Sequence, residues 1–164
     1  MKDAFQIVKD YKKIKNPKPV ILMGYYNMIY QYGENKFLKK CKKKSISFVQ
    51  LLSPTTSKIR MKKIIKDSHE MCYYISMLST TGGKLKVSPK KILENYNKIK
   101  RINKSKNLVI GFGITSKTIT SLKKADGLVV GSQLCKGITE SLKKRQNPVI
   151  KLSKMVKSLK SKIQ

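Results

Sequence analysis

Two hydrophobic patterns alternate along the chain. Five short runs are apolar almost throughout: Val20 to Tyr25, Ile46 to Leu52, Met71 to Leu78, Leu108 to Ile110 and Leu128 to Val130. Such runs read as buried strands covered on both faces. Between them, apolar residues recur every three or four positions, the spacing of an amphipathic helix. This predicts helices over residues 3–15, 34–44, about 57–67, 89–104, about 116–124 and 133–141, and from Asn147-Pro148 to Ile163. Ile92, Leu93, Tyr96 and Ile99, for example, share one face of the fourth. Thr56 or Ser57 is placed to cap the third. Asn16-Pro17-Lys18-Pro19 breaks the first helix, Ser53-Pro54-Thr55-Thr56 is a turn, and Ser79 to Lys84 is a polar loop. Tyr26 to Gly33 reads as a long loop or a short helix.

Strict alternation of strand and helix predicts a parallel sheet with right-handed crossovers. By length, 164 residues make one domain with enough chain for a core. The face that binds ligands is then fixed as the C-terminal ends of the strands. Two strands end there in glycine: Asn107-Leu-Val-Ile-Gly-Phe-Gly-Ile-Thr115 and Asp126-Gly-Leu-Val-Val-Gly-Ser132. Thr115 or Ser116 is placed to cap one following helix, and Ser132 to open another. Glycine lets backbone N–H groups come close, and helix N-termini favour an anion, so the pair reads as a phosphate cradle. A lone glycine after a strand is more often only a tight turn. The second strand ending the same way brings the cradle level with that reading. Tyr73 and Ser76 are expected on one side of the third strand. Tyr73 then either lines a pocket or is a core tyrosine whose hydroxyl finds a partner.

Carboxylates are missing from this face. The eight acids are Asp3, Asp10, Glu34, Asp67, Glu70, Glu94, Asp126 and Glu140. They fall on helices or at strand entries, with Glu34 alone near a ligand-side loop. His69, the only histidine, sits at the opposite end. Proton transfer by a carboxylate or imidazole thus has no evident agent. Cys41, Cys72 and Cys135 are far apart with no CxxC. Neither a metal site nor a cofactor is expected, and a reducing cytoplasm suits them. The N-terminus has no signal-type apolar core, and no run reaches the ~20 apolar residues of a membrane span.

Charge changes the picture least. Lys and Arg number 38 against 8 acids, a net charge of +30. Only Arg60, Arg101 and Arg145 are arginines, although specific phosphate recognition favours the arginine fork. The lysines are scattered over every predicted helix instead of gathering in one tail. They read as solvated faces, and a nucleic-acid partner is not expected.

Four blocks resemble the tryptophan synthase alpha chain family. Pro19-Val-Ile-Leu-Met-Gly-Tyr-Tyr-Asn27, with Tyr32-Gly33 and Phe37, is similar to the family's third-strand segment. Cys72-Tyr-Tyr-Ile-Ser-Met-Leu-Ser-Thr-Thr-Gly82 resembles the sixth strand and mobile loop, with the pattern Y-x-x-S…TG. Gly111-Phe-Gly-Ile-Thr115 and Asp126-Gly-Leu-Val-Val-Gly-Ser132 resemble the seventh- and eighth-strand motifs. The resemblance implies an α/β fold, an incomplete TIM (β/α) barrel with about five parallel βα units, in a single truncated domain over residues 1–164. It implies aldol cleavage of indole-3-glycerol phosphate to indole and glyceraldehyde 3-phosphate in tryptophan biosynthesis. The implied assembly is an α₂β₂ complex with the tryptophan synthase beta chain. Gly82, Gly111, Gly113, Gly131 and Ser132 fall on phosphate-binding positions of the family. Phe112 and Tyr73 fall on its substrate pocket, Thr81 on its mobile loop, and Asn27 on the region facing the beta chain.

The chain also departs from the family. It holds no counterpart of the first two strands, and with them goes the segment of the family's catalytic glutamate and aspartate. After Lys44 it runs directly into Ser45-Ile46, which the family reaches only after a fourth strand and helix. Met28 stands where a proline is usual, and Met77-Leu78-Ser79 where the family has a charged residue and a glycine. No catalytic residue is therefore assigned, and impaired catalysis is expected. Alternatives are a non-catalytic partner of the beta chain, a basic RNA-associated protein, or a product without a stable fold. Open sheet edges lead us to expect an oligomer or an aggregation-prone monomer.

Overall fold

The computed structural model describes residues 2–21, 23–43, 46–68, 70–76 and 87–164. They divide into two compact units, Met1–Ser47 and Phe48–Gln164. The first unit holds helices α1 (Lys2–Tyr11), α2 (Tyr26–Tyr32) and α3 (Glu34–Lys43). Gly33, at φ 92°, ends α2 and lets α3 begin at once. The Tyr26 hydroxyl bonds the Glu34 carboxylate across that turn, and Lys36 and Lys40 lie over the Tyr32 ring.

The strand expected at Val20 to Tyr25 is not one. Residues 20, 21 and 23–25 are exposed and join no ladder. An apolar run becomes a strand only where a neighbour accepts and donates its hydrogen bonds. In a barrel the third strand pairs with the second and fourth. By the resemblance, the fourth is a strand for which this chain has no counterpart between Lys44 and Ser45.

The second unit carries the other expected strands: β1 (Gln50–Leu52), β2 (Met71–Ile75), β3 (Asn107–Gly111) and β4 (Gly127–Val129). They pair in chain order and in parallel, giving a four-stranded sheet among the described residues. Helices α4 (Lys58–Asp67), α5 (Pro89–Lys100), α6 (Ser132–Lys143) and α7 (Pro148–Ser161) complete the unit. Capping fixes their starts. Ser57, Ser88 and Asn147 each accept a backbone N–H of the first turn of α4, α5 and α7.

Only one face of the sheet is fully buried, which corrects the expectation that both would be. Leu52, Cys72, Tyr74, Leu108 and Ile110 point to the covered side, against Ile65, Ile92, Tyr96 and Ile99. The other face carries Leu51, Tyr73, Ile75, Val109 and Val129, half-buried or exposed. In a closed barrel this face is sealed by strands opposite. A second correction concerns residues 116–124, where turns and a 3₁₀ helix (Thr120–Leu122) replace the expected α-helix. Ile119 and Leu122, three apart, both enter the core. Thr118 spends its hydroxyl on the preceding backbone, which competes with helix bonds.

Candidate functional site

The two glycine-ended strands are neighbours. β3 and β4 pair with Gly111 opposite Val129, so the loops that follow them start side by side. The loop after β3 turns through two left-handed residues, Phe112 at φ 70° and Gly113 at φ 68°. Glycine adopts this freely, but phenylalanine does so at a cost of about 1 kcal/mol. Side chains from outside the turn hold it. Ser76 Oγ lies 2.8 Å from the Gly111 carbonyl and 2.9 Å from that of Phe112, sharing one proton between them. Thr118 Oγ1 donates to Gly113 O at 2.9 Å and accepts the Thr115 N–H at 3.0 Å.

Tyr73 stands against Gly111. Its ring fills the space that a Cβ at position 111 would take, so the tyrosine and the glycine require each other. Burial pushes the Tyr73 hydroxyl pKa up, keeping it a neutral donor at ordinary pH. Tyr73 and Ser76 do not share a side, contrary to expectation. An offset of three along a strand of period two puts them on opposite faces. Ser76 goes to the covered face and Tyr73 to the open one.

After β4 the chain opens α6 at Ser132, as expected, with Gly131 as its N-cap. The Gly131 carbonyl accepts from Leu134 and Cys135 N–H at 2.8 and 3.1 Å. The first-turn N–H groups of Ser132 and Gln133 have no carbonyl in the helix to serve them. A Cβ at Gly131 would meet nothing within 4 Å, so there is room beside this turn, and the first turn of α6 carries no acid. The geometry thus brings Tyr73, Gly111, Phe112, Gly113, Gly131 and Ser132 to one end of the sheet. Thr81 and Gly82 lie outside the described residues. Asn27 is exposed on α2, in the other unit.

Next along this end, an open hollow of about 520 Å³ lies beyond β1 and β2. Ser53, Thr55, Thr56, Ser57 and Arg60 line it with Leu51, Leu52 and Ile75. It too offers hydroxyls and one cation but no carboxylate. The acids keep the places expected of them. Asp126, at the entry of β4, accepts the Leu108 N–H at 2.8 Å and the Lys100 ammonium at 2.5 Å, while its own N–H goes to the Tyr96 hydroxyl. Burial opposes its ionisation, but Lys100 and Leu108 outweigh that and hold its pKa below the usual carboxylate range. Among the described residues no three His, Cys, Asp or Glu side chains gather as a metal site. None of their helices is long and apolar enough to cross a membrane.

The glycine pattern does not point to Ser76, Thr118 or Gln133 as loop supports. Ser76 and Phe112 are 36 residues apart, and Gln133 and Ser116 are 17 apart. Only the Y-x-x-S pattern hinted at the serine.

A parallel sheet whose strands alternate with helices, with one face open, is the architecture of an incomplete (β/α) barrel. The sequence model of one family, tryptophan synthase alpha chain, matches residues 1–47 and 38–164. The chain belongs to the tryptophan synthase alpha chain family, whose reaction is the cleavage of indole-3-glycerol phosphate in tryptophan biosynthesis. It is 64% identical over 188 aligned positions to the tryptophan synthase alpha chain of Pelagibacter ubique (strain HTCC1062), covering 99% of this chain and 71% of that one. With 164 residues set against 188 positions, the relative has internal residues that this chain lacks. The two family matches meet at residues 38–47, around the expected junction at Lys44-Ser45. Among solved structures, the alpha chain from Legionella pneumophila subsp. pneumophila superposes with a TM-score of 0.81 at 25% identity, over 99% of this chain and 69% of that one. A chain of the Pyrococcus furiosus tryptophan synthase α₂β₂ complex gives 0.77 at 28% identity, over 98% and 73%.

Proposed function

We propose that these 164 residues carry the phosphate-binding half of the family site and not its acid–base half. The backbone of Gly111, Gly113, Gly131 and Ser132 receives the phosphate of indole-3-glycerol phosphate, together with Gly82. Tyr73 and Phe112 border the indole, and Thr81 falls by resemblance on the family's mobile loop. The cleavage breaks the bond between indole C3 and the glycerol chain. A proton must arrive at C3, and another must leave the neighbouring hydroxyl as it becomes the aldehyde. Both transfers need a group within hydrogen-bond reach. The observation that carries the proposal is that the loops following β1 to β4 keep their glycines and hold none of the eight acids in sequence. The chain alone therefore cleaves the substrate poorly or not at all.

Its remaining role is that of a partner of the tryptophan synthase beta chain, with the region around Asn27 facing it. Support comes from the α₂β₂ complex in which the Pyrococcus furiosus relative is found. The free thiols of Cys41, Cys72 and Cys135 suit a cytoplasmic location.

The test is indole release from indole-3-glycerol phosphate, by the chain alone and with its cognate beta chain. We expect release by the chain alone to fall at least about a thousandfold below a full-length alpha chain, as for loss of general acid–base groups. We also expect the beta chain's own turnover to change when this chain is added. Release at the full-length rate would refute the absence of an acid–base pair from these 164 residues. No effect on the beta chain would refute the partner role.

A further inference from the structure

The two loops of the cradle are joined by a side chain that neither the glycine pattern nor the family motifs single out. Gln133, the second residue of α6, is half-buried, and its Oε1 accepts the Ser116 N–H at 2.8 Å. The Ser116 carbonyl in turn accepts from Lys162 Nζ at 3.1 Å. Both backbone groups of Ser116 are thus taken up by side chains from the C-terminal part of the chain. Ser116 follows closely on Phe112 and Gly113, two consecutive left-handed residues. A turn containing a left-handed phenylalanine persists only where its surroundings impose it. On the strand side Ser76 does this, and on the far side the contact to α6 is Gln133.

An anion cradle works when its N–H groups point to one place before the ligand arrives. Here those groups come from two segments separated by β4. Strand pairing sets their spacing at Gly111 and Val129. Beyond that point the Gln133–Ser116 bond ties the loop to the first turn of α6. The amide also fits chemically, because an acceptor is needed for the Ser116 N–H and a carboxylate there would repel a phosphate.

We propose that Gln133 is a positioning residue for phosphate binding, holding the loop after β3 at a fixed distance from the N-terminus of α6 so that both converge on one anion. This rests on the phosphate-cradle reading above.

Calorimetric titration of the full chain with glycerol 3-phosphate and with indole tests it, using wild type and Gln133→Met, which keeps length and removes the acceptor. Gln133→Ala, which adds no bulk, carries the same test if the methionine variant does not fold. The expected result is a three- to tenfold weaker affinity for glycerol 3-phosphate, with indole affinity unchanged, as for loss of one neutral hydrogen bond. Ser116 amide hydrogen exchange should speed up in both variants and stay slow in Gln133→Glu, which retains an acceptor. Unchanged glycerol 3-phosphate affinity in a variant would overturn the role of Gln133 and leave the cradle intact. Parallel loss of both ligands would show a general structural defect and overturn it too. A wild-type chain that binds no glycerol 3-phosphate would overturn the cradle, and this inference with it.

Discussion

At the scale of single residues, Tyr73 and Gly111 act as a pair. A Cβ at 111 would overlap the tyrosine hydroxyl and the ring carbon that bears it. Gly111→Ala should therefore cost about 1–3 kcal/mol, the range for overpacking, measured by urea unfolding. Tyr73→Phe should not relieve that cost, since the ring carbon remains in the way. Tyr73→Ala should relieve it, so the double variant with Gly111→Ala will be less destabilised than the two single effects added together. Asp126 gives a prediction with a pH signature. A carboxyl whose folded pKa is depressed stabilises the fold at any pH above its unfolded value of about 3.9. It loses that contribution as pH falls from there through the lower folded value. Asp126→Asn should cost about 1 kcal/mol at neutral pH, since the ionic contact with Lys100 is partly solvated. In acid unfolding the variant and wild type should converge as pH falls from about 3.9 through the depressed folded pKa of Asp126. A gap that persists there would mean the carboxylate charge is not what matters.

At the scale of elements, β1 to β4 were legible because each apolar run has a neighbour to pair with. Val20 to Tyr25 has the same composition and joins no ladder, since strand formation depends on what lies alongside. Residues 116–124 were misread for a similar reason. Their apolar spacing suits a helix, but Thr115 and Thr118 engage the turn before it and leave only a 3₁₀ segment. The glycine-ended loops could be read from local sequence, whereas the contacts of Ser76 and Gln133 that hold them are tertiary. The α6–α7 pair was legible as two helices but not as a close contact. Gly137 and Ser141 are buried on α6, and a Cβ at 137 would lie 2.9 Å from Met155 Sδ and 3.3 Å from Leu152 Cδ2 on α7. Gly137→Leu should push the helices apart and cost about 1–3 kcal/mol in chemical denaturation. Gly137→Ala is the informative control. Its gain in helix propensity of about 1 kcal/mol offsets the small shift asked of the flexible Met155, so its midpoint should stay near wild type.

For the molecule as a whole, two terms of opposite sign meet. Among the described residues β1 and β4 each have one ladder neighbour, leaving an open edge on either side of the sheet. Beside those edges the uncovered face presents Leu51 and Val129, 49% and 37% exposed. Edges and apolar surface of this kind favour pairing with another chain. Against this stands a net charge of +30, which makes any two copies repel. Four ion pairs form among the described residues, at Asp10, Glu94, Asp126 and Glu140, too few to neutralise 38 cations. Repulsion is long-ranged and screened by salt, with a Debye length that shrinks from ~20 Å near 0.02 M to ~4 Å near 0.5 M, while edge pairing and apolar contact act only at contact and survive screening. Association should therefore grow as salt is raised. Sedimentation velocity at about 0.02 M and 0.5 M salt should show mainly monomer at the first and dimers or larger species at the second. The thermal midpoint should rise by several degrees over the same range, as repulsion within the chain is also screened. Adding the beta chain should suppress self-association if it covers the same surface. A monodisperse monomer at both salt concentrations, unfolding cooperatively, would show that the open edges and the exposed face do not drive association.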